Sequence, residues 1–115
     1  MPCYIFDDFI TACKKGERII IWQKVVSEAY KDFGFWDEES IISFIANDGL
    51  EELKFQNSEE WRNNPSPITP IMIDAYRFST LGKVGYIAFF CTNTGGWSIK
   101  SFKRSTEFDG SLTIF

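Results

Sequence analysis

The chain has 115 residues, with 12 Lys and Arg against 16 Asp and Glu, a net charge of −4 and no histidine. That length suits one domain with one core, and 44 % hydrophobic with 17 % aromatic residues is too much apolar matter for a disordered chain. There is no apolar run near the roughly 18 residues of a membrane span, no secretory signal in MPCYIFDD, no zinc spacing among Cys3, Cys13 and Cys91, and no imidazole for a histidine base or a transition metal.

A first helix is expected over residues 4–15. Ile5, Phe9, Ile10 and Cys13 share one face there, and Lys14 and Lys15 followed by Gly16 make a good stop. In residues 18–35 two patterns overlap. Ile19, Ile20, Ile21 and Trp22 fit the start of a short strand, whereas Val25, Val26, Ala29 and Tyr30 recur at helical spacing up to Gly34. A third helix follows Trp36. Asp37 is its N-cap, Glu38 and Glu39 lie in its first turn, and Ile41, Ile42, Phe44 and Ile45 form its apolar face.

After Asn47-Asp48-Gly49 the period changes from helix to strand. Residues 52–55 are expected as a short strand and residues 63–67 as a loop, and Pro67 and Pro70 bar a central strand there. Residues 71–78, 84–92 and 97–104 read as three strands joined by hairpin-length connections at 79–83 and 93–96. The segment 86–91 is apolar at nearly every position and is expected in the centre of the sheet. Residues 105–115 are read as a tail or an extra edge strand. The expectation is a single α+β domain over residues 1–115. It has two layers, about three N-terminal helices (1–50) packed on a C-terminal antiparallel sheet (51–104).

Charge divides along the same line. Residues 1–66 carry 7 basic against 13 acidic side chains, and residues 67–115 carry 5 against 3. From Arg77 to Arg104 there are five basic residues and no acidic one, among Phe78, Tyr86, Phe89, Phe90, Trp97 and Phe102. Such a block suits a surface that meets phosphate; it also suits a small β-core with solvated lysines. The pairs Glu38-Glu39 and Glu51-Glu52 read as solvated charges. Cys91, in an apolar strand, reads as an inert thiol.

The order of short phrases along the chain adds to this. They are Lys15-Gly16, Asp32-Phe33-Gly34-Phe35, GLEELKFQNS from Gly49 to Ser58, Asp74-Ala75-Tyr76-Arg77, Gly82-Lys83-Val84-Gly85-Tyr86 and Ser101-Phe102-Lys103. Over residues 9–104 this order resembles the motility quorum-sensing regulator (MqsR) family, toxins of toxin–antitoxin pairs. The resemblance implies a RelE-like fold, an endoribonuclease that cleaves mRNA without metal or other cofactor, and a cognate antitoxin as partner; the three far-apart cysteines fit reduced thiols in a cytoplasm. The resemblance also implies Lys54, Tyr86 and Lys103 as catalytic residues and Arg77 as substrate-binding. Lys100 and Arg104 from the acid-free block are expected to bind substrate with it. The chain departs from the family at Ile73, where the family has glutamine. The acidic, aromatic composition leaves a second reading open, a non-enzymatic immunity-like or antitoxin-like module that binds a basic protein through Trp22, Trp36, Trp61 or Trp97.

Overall fold

Strand side chains alternate between the two faces of a sheet, and in this chain the alternation puts most of the strand aromatics on one side. The computed structural model describes residues 2–61, 70–80, 82–92 and 95–105. In chain order the elements are α1 (Phe6–Lys15), β1 (Ile19–Ile21), α2 (Gln23–Phe33), α3 (Glu38–Ala46), β2 (Glu51–Glu60), β3 (Met72–Thr80), β4 (Lys83–Cys91) and β5 (Trp97–Arg104). The expected loop at 63–67, Leu81, residues 93–94 of the last connection and the tail from 106 onward lie outside the described residues.

The helices begin and end as their local chemistry dictates. Gly16 and Gly34 close α1 and α2 in the left-handed region, at φ 71° and 82°. Asp37 Oδ1 accepts from the Ser40 amide at 2.9 Å while Ser40 Oγ accepts from the Asp37 amide at 3.1 Å, a reciprocal cap on α3.

The strands form one five-stranded sheet in the order β1-β5-β4-β3-β2. Four of them are antiparallel neighbours, and β4 is central as expected. β1, however, pairs parallel with β5, Ile19 opposite Trp97 and Ile21 opposite Ile99. The fold is thus α+β with three helices, but the sheet is mixed rather than antiparallel, and the first 50 residues contribute a strand as well as helices. The cause is local: three consecutive β-branched residues favour extended backbone, and Ile19 and Ile21 enter the core on alternate positions. A second correction concerns β2. It runs to Glu60, well past Phe55, as an edge strand with irregular register at two points. Its polar sequence has no apolar alternation to betray its length.

All three helices pack on one face. Phe9 of α1 stacks flat on Phe89 of β4, with centroids 4.2 Å apart and planes at 8°. Further along, Phe33 of α2 and Phe44 of α3 meet Phe78 and Phe102. Gly85 lies opposite Phe78 in the ladder, and a Cβ there would overlap the Phe78 ring.

One carboxyl group sits inside this apolar layer. Asp74, completely buried on the helix-facing side of β3, accepts from the backbone amides of Cys3 at 2.9 Å and Tyr4 at 2.8 Å. Tyr4 in turn donates its hydroxyl to the Met72 carbonyl at 2.6 Å, and burial holds its phenol above the usual tyrosine range. The start of the chain is thereby fastened to β3. Asp74→Ala removes the acceptor for both amides and is expected to destabilise the fold by about 1–3 kcal/mol, read as a lowered urea midpoint; a midpoint equal to wild type would contradict the clamp.

Candidate functional site

With the helices all on one side, the opposite face of the sheet is lined by the other half of the strand residues. Register places four of them directly side by side. Lys54 of β2 is opposite Arg77 of β3, Arg77 is opposite Tyr86 of β4, and Tyr86 is opposite Lys103 of β5. Residues opposite one another in antiparallel strands point to the same face. The row Lys54–Arg77–Tyr86–Lys103 therefore crosses four strands, about 14 Å at roughly 4.8 Å per strand spacing. Lys54 and Lys103 are exposed and Arg77 and Tyr86 half-buried. Arg77 Nη2 donates to Gln56 Oε1 on the neighbouring β2 at 2.8 Å. The Lys103 ammonium lies 5.9 Å from the centre of the Tyr86 ring, within the range of a cation–π contact.

The other two expected basic residues are placed differently. Lys100 is the extra residue where the β4–β5 register slips, Ala88 pairing with Ser101 and Phe89 with Ile99. It is offset from the row, with its ammonium 5.0 Å from the centre of the Trp22 ring. Arg104 pairs with Gly85, so it starts towards the helix side, and its backbone amide donates to Asp32 Oδ2 at 2.8 Å. The structure brings Lys54, Arg77, Tyr86 and Lys103 together, sets Lys100 beside them and leaves Arg104 off the row. Lys83, also in the acid-free block, donates to the Asp32 carbonyl at 2.7 Å near the C-terminal end of α2, a structural tie.

Two clefts flank the row. One, of about 320 Å³, lies among Glu52, Lys54, Arg77, Ser79 and Val84. The other, of about 260 Å³, has Ala75 and Ala88 at its base and Tyr86, Trp61, Lys100, Ser101 and Glu59 around it. Beyond it three rings close the end of the face. Trp61 lies on Phe90 with centroids 5.0 Å apart, and Trp22 meets Trp61 at 5.8 Å. This cover explains why Phe90 is only 4 % exposed although it points away from the helices.

Gln56, Asn57 and Glu59 join this face without any signal in the sequence, because a strand over residues 52–55 stops short of them. Trp22 and Trp61 are legible there only as partner-binding candidates. Their placement depends on Trp61 reaching from the β2 edge to the central strand, which no local pattern encodes. Ile73 shares the open face with Arg77, opposite Glu59, and lines the second cleft.

Cys91 ends β4 half-buried, and burial pushes its thiol up. Cys13, on the buried face of α1, is pushed up to about 11. Both are thereby poor nucleophiles at neutral pH. Among the described residues no group of three His, Cys, Asp or Glu side chains is placed to hold a metal ion, and no helix is long and apolar enough to cross a membrane. Comparison with protein-family models, with curated proteins and with solved structures finds no match for the chain.

Proposed function

We propose that the protein is an endoribonuclease toxin of the MqsR type, with a RelE-like fold, that cleaves single-stranded mRNA on the open face of its sheet without a metal, and that a cognate antitoxin restrains it in the cytoplasm. The observation that supports this most is the row itself. Four residues scattered over 50 positions of sequence, Lys54, Arg77, Tyr86 and Lys103, meet as three cations and a phenol on a face that the helices leave uncovered.

The chemistry follows from that set. The 2′-oxygen of a ribose bonds to the adjacent phosphorus, the bond from phosphorus to the 5′-oxygen breaks, and the products are a 2′,3′-cyclic phosphate and a 5′-hydroxyl. One proton leaves the 2′-hydroxyl and one arrives at the departing 5′-oxygen. Arg77, hydrogen-bonded to Gln56, faces the non-bridging oxygens and offsets the charge that grows on them. Tyr86, between Arg77 and Lys103, is the group at the centre of the row that exchanges protons with the reacting oxygens, and Lys54 and Lys103 supply charge and protons at either side.

The net charge of −4 does not oppose this. Potential is felt over about a Debye length, roughly 10 Å at 0.1 M salt, so the field at the row is set by Lys54, Arg77 and Lys103 together with the carboxylates of β2, while Asp37, Glu38 and Glu39 lie on the helical layer. At Ile73 the family amide is missing; in this chain Gln56 sets an amide against Arg77 instead.

Expression of the protein without its antitoxin is expected to arrest growth, and the purified protein to cleave single-stranded RNA in excess EDTA with cyclic-phosphate ends. The double substitution Lys54→Ala, Lys103→Ala is expected to lower the cleavage rate by about 100-fold or more and abolish the arrest, while both exposed sites leave stability within about 0.5 kcal/mol. Harmless expression together with intact RNA after incubation with the wild type would sink the proposal.

A specific feature favours a protein-docking role for the helical layer, alongside the open face. Trp36 is 78 % exposed and rests against Tyr30, 51 % exposed, with centroids 5.4 Å apart. Asp37, Glu38 and Glu39 follow it directly. An exposed aromatic pair beside three carboxylates suits a Lys- or Arg-rich partner. The other candidate anchors are committed elsewhere, Trp97 in the core and Trp22 and Trp61 on the open face. Trp36→Ala is expected to weaken such a complex by about tenfold or more and to leave RNA cleavage by the free protein unchanged. Equal affinity of the variant for the co-purified antitoxin would remove Trp36 from the interface.

A further inference from the structure

The second cleft differs from the row in what it offers a ligand. Its base is small, Ala75 and Ala88, paired across β3 and β4. The Tyr86 ring from the row stands at one end, and Trp61, braced by Phe90 and Trp22, stands at the other. On one side is Lys100, turned to this face by the register slip. On the other is the Glu59 carboxylate, to which Asn57 Nδ2 donates at 3.0 Å; Glu60 lines the cleft beside it.

Carboxylates make this cleft hostile to a phosphate, whereas the four residues of the neighbouring row are three cations and a phenol. A flat apolar ring with amino donors on its edge matches the cleft's surfaces. Aromatic walls give stacking area that any base can use, and a fixed carboxylate accepts from an exocyclic amino group such as the cytosine N4 donor. Because Tyr86 belongs to both, a strand whose phosphate lies on the row brings an adjoining base to the cleft.

We infer that this cleft is a nucleobase subsite, which seats an unpaired, amino-bearing base of RNA between Tyr86 and Trp61 and selects it through Glu59. Uracil, with no exocyclic amino group, is disfavoured there because its one edge donor, N3–H, is flanked by two carbonyl oxygens that the carboxylate repels. The inference rests on the proposed function, since it takes the strand's phosphate to lie on the row, and it supplies the base selectivity that the row of cations and phenol lacks.

The test uses fluorescently labelled 2′-O-methyl octanucleotides of A, C and U, which cannot be cleaved, with affinity read by anisotropy for the full-length protein. The A and C strands are expected to bind about tenfold more tightly than U. Glu59→Gln is expected to erase that preference and keep binding to U. Trp61→Ala is expected to weaken all three strands by about tenfold. Lys54→Ala is expected to weaken all three equally and keep the preference. Glu59 is exposed, so its variant decides the matter even if Trp61→Ala fails to fold. If Lys54→Ala weakens binding while Glu59→Gln and Trp61→Ala both bind as wild type does, the subsite is overturned and the row stands. If the wild type binds none of the strands, both are overturned.

Discussion

Three short helices can cover only one face of a five-stranded sheet, and the rest of the molecule depends on which strand residues lie beneath them. On β3, β4 and β5 the covered positions hold Tyr76, Phe78, Ile87, Phe89, Ile99 and Phe102, all buried. Each ladder is locked in register by that set, because a slip of one residue would turn these rings to solvent and bring polar side chains inward. The register that protects the core therefore also fixes the other face. Arg77 must project beside Tyr86, and Tyr86 beside Lys103, because Tyr76, Ile87 and Phe102 must not.

This coupling separates stability from chemistry in the molecule. The helix side holds the stacked aromatics and the buried Asp74, where changes in size or charge are felt as stability. The open face holds long cationic side chains at its edge and half-buried ones towards its centre, so it can change character without disturbing the core. Where apolar rings do appear on the open face, they are gathered at one end, Trp61 over Phe90 with Trp22 beside them. The result is a gradient along the face from a charged row to an aromatic wall. Between the two is a notch floored by alanines, a shape that an extended polymer with alternating phosphates and bases can follow.

Most of the fold is legible in the sequence because it obeys short-range rules. Gly16 and Gly34 as helix stops, Asp37 as a cap, and the apolar run through β4 all act within a few residues. What escapes is set at long range. Ile19–Ile21 fits a short strand in the sequence, but neither its end at the start of α2 nor its parallel pairing is set until β5 is beside it. The polar half of β2 is a strand because β3 offers it a ladder, despite a composition that suggests a loop. The row of four can be named only through resemblance in residue order, since Lys54 and Lys103 are 49 positions apart and no local pattern joins them. The partnership of Gln56 with Arg77 and the reach of Trp61 across the face emerge only in three dimensions.

In the proposed function single-stranded RNA lies on the open face, across the row and into the aromatic notch. Amide and side-chain chemical-shift mapping of the isotope-labelled protein, titrated with an uncleavable 2′-O-methyl oligo(C), tests it most directly. Shifts are expected at Lys54, Arg77, Tyr86, Lys100 and Lys103 and at the Trp61 indole, with the α1–α3 layer unmoved. Shifts confined to the helical layer, or none at all at saturating oligonucleotide, would contradict it.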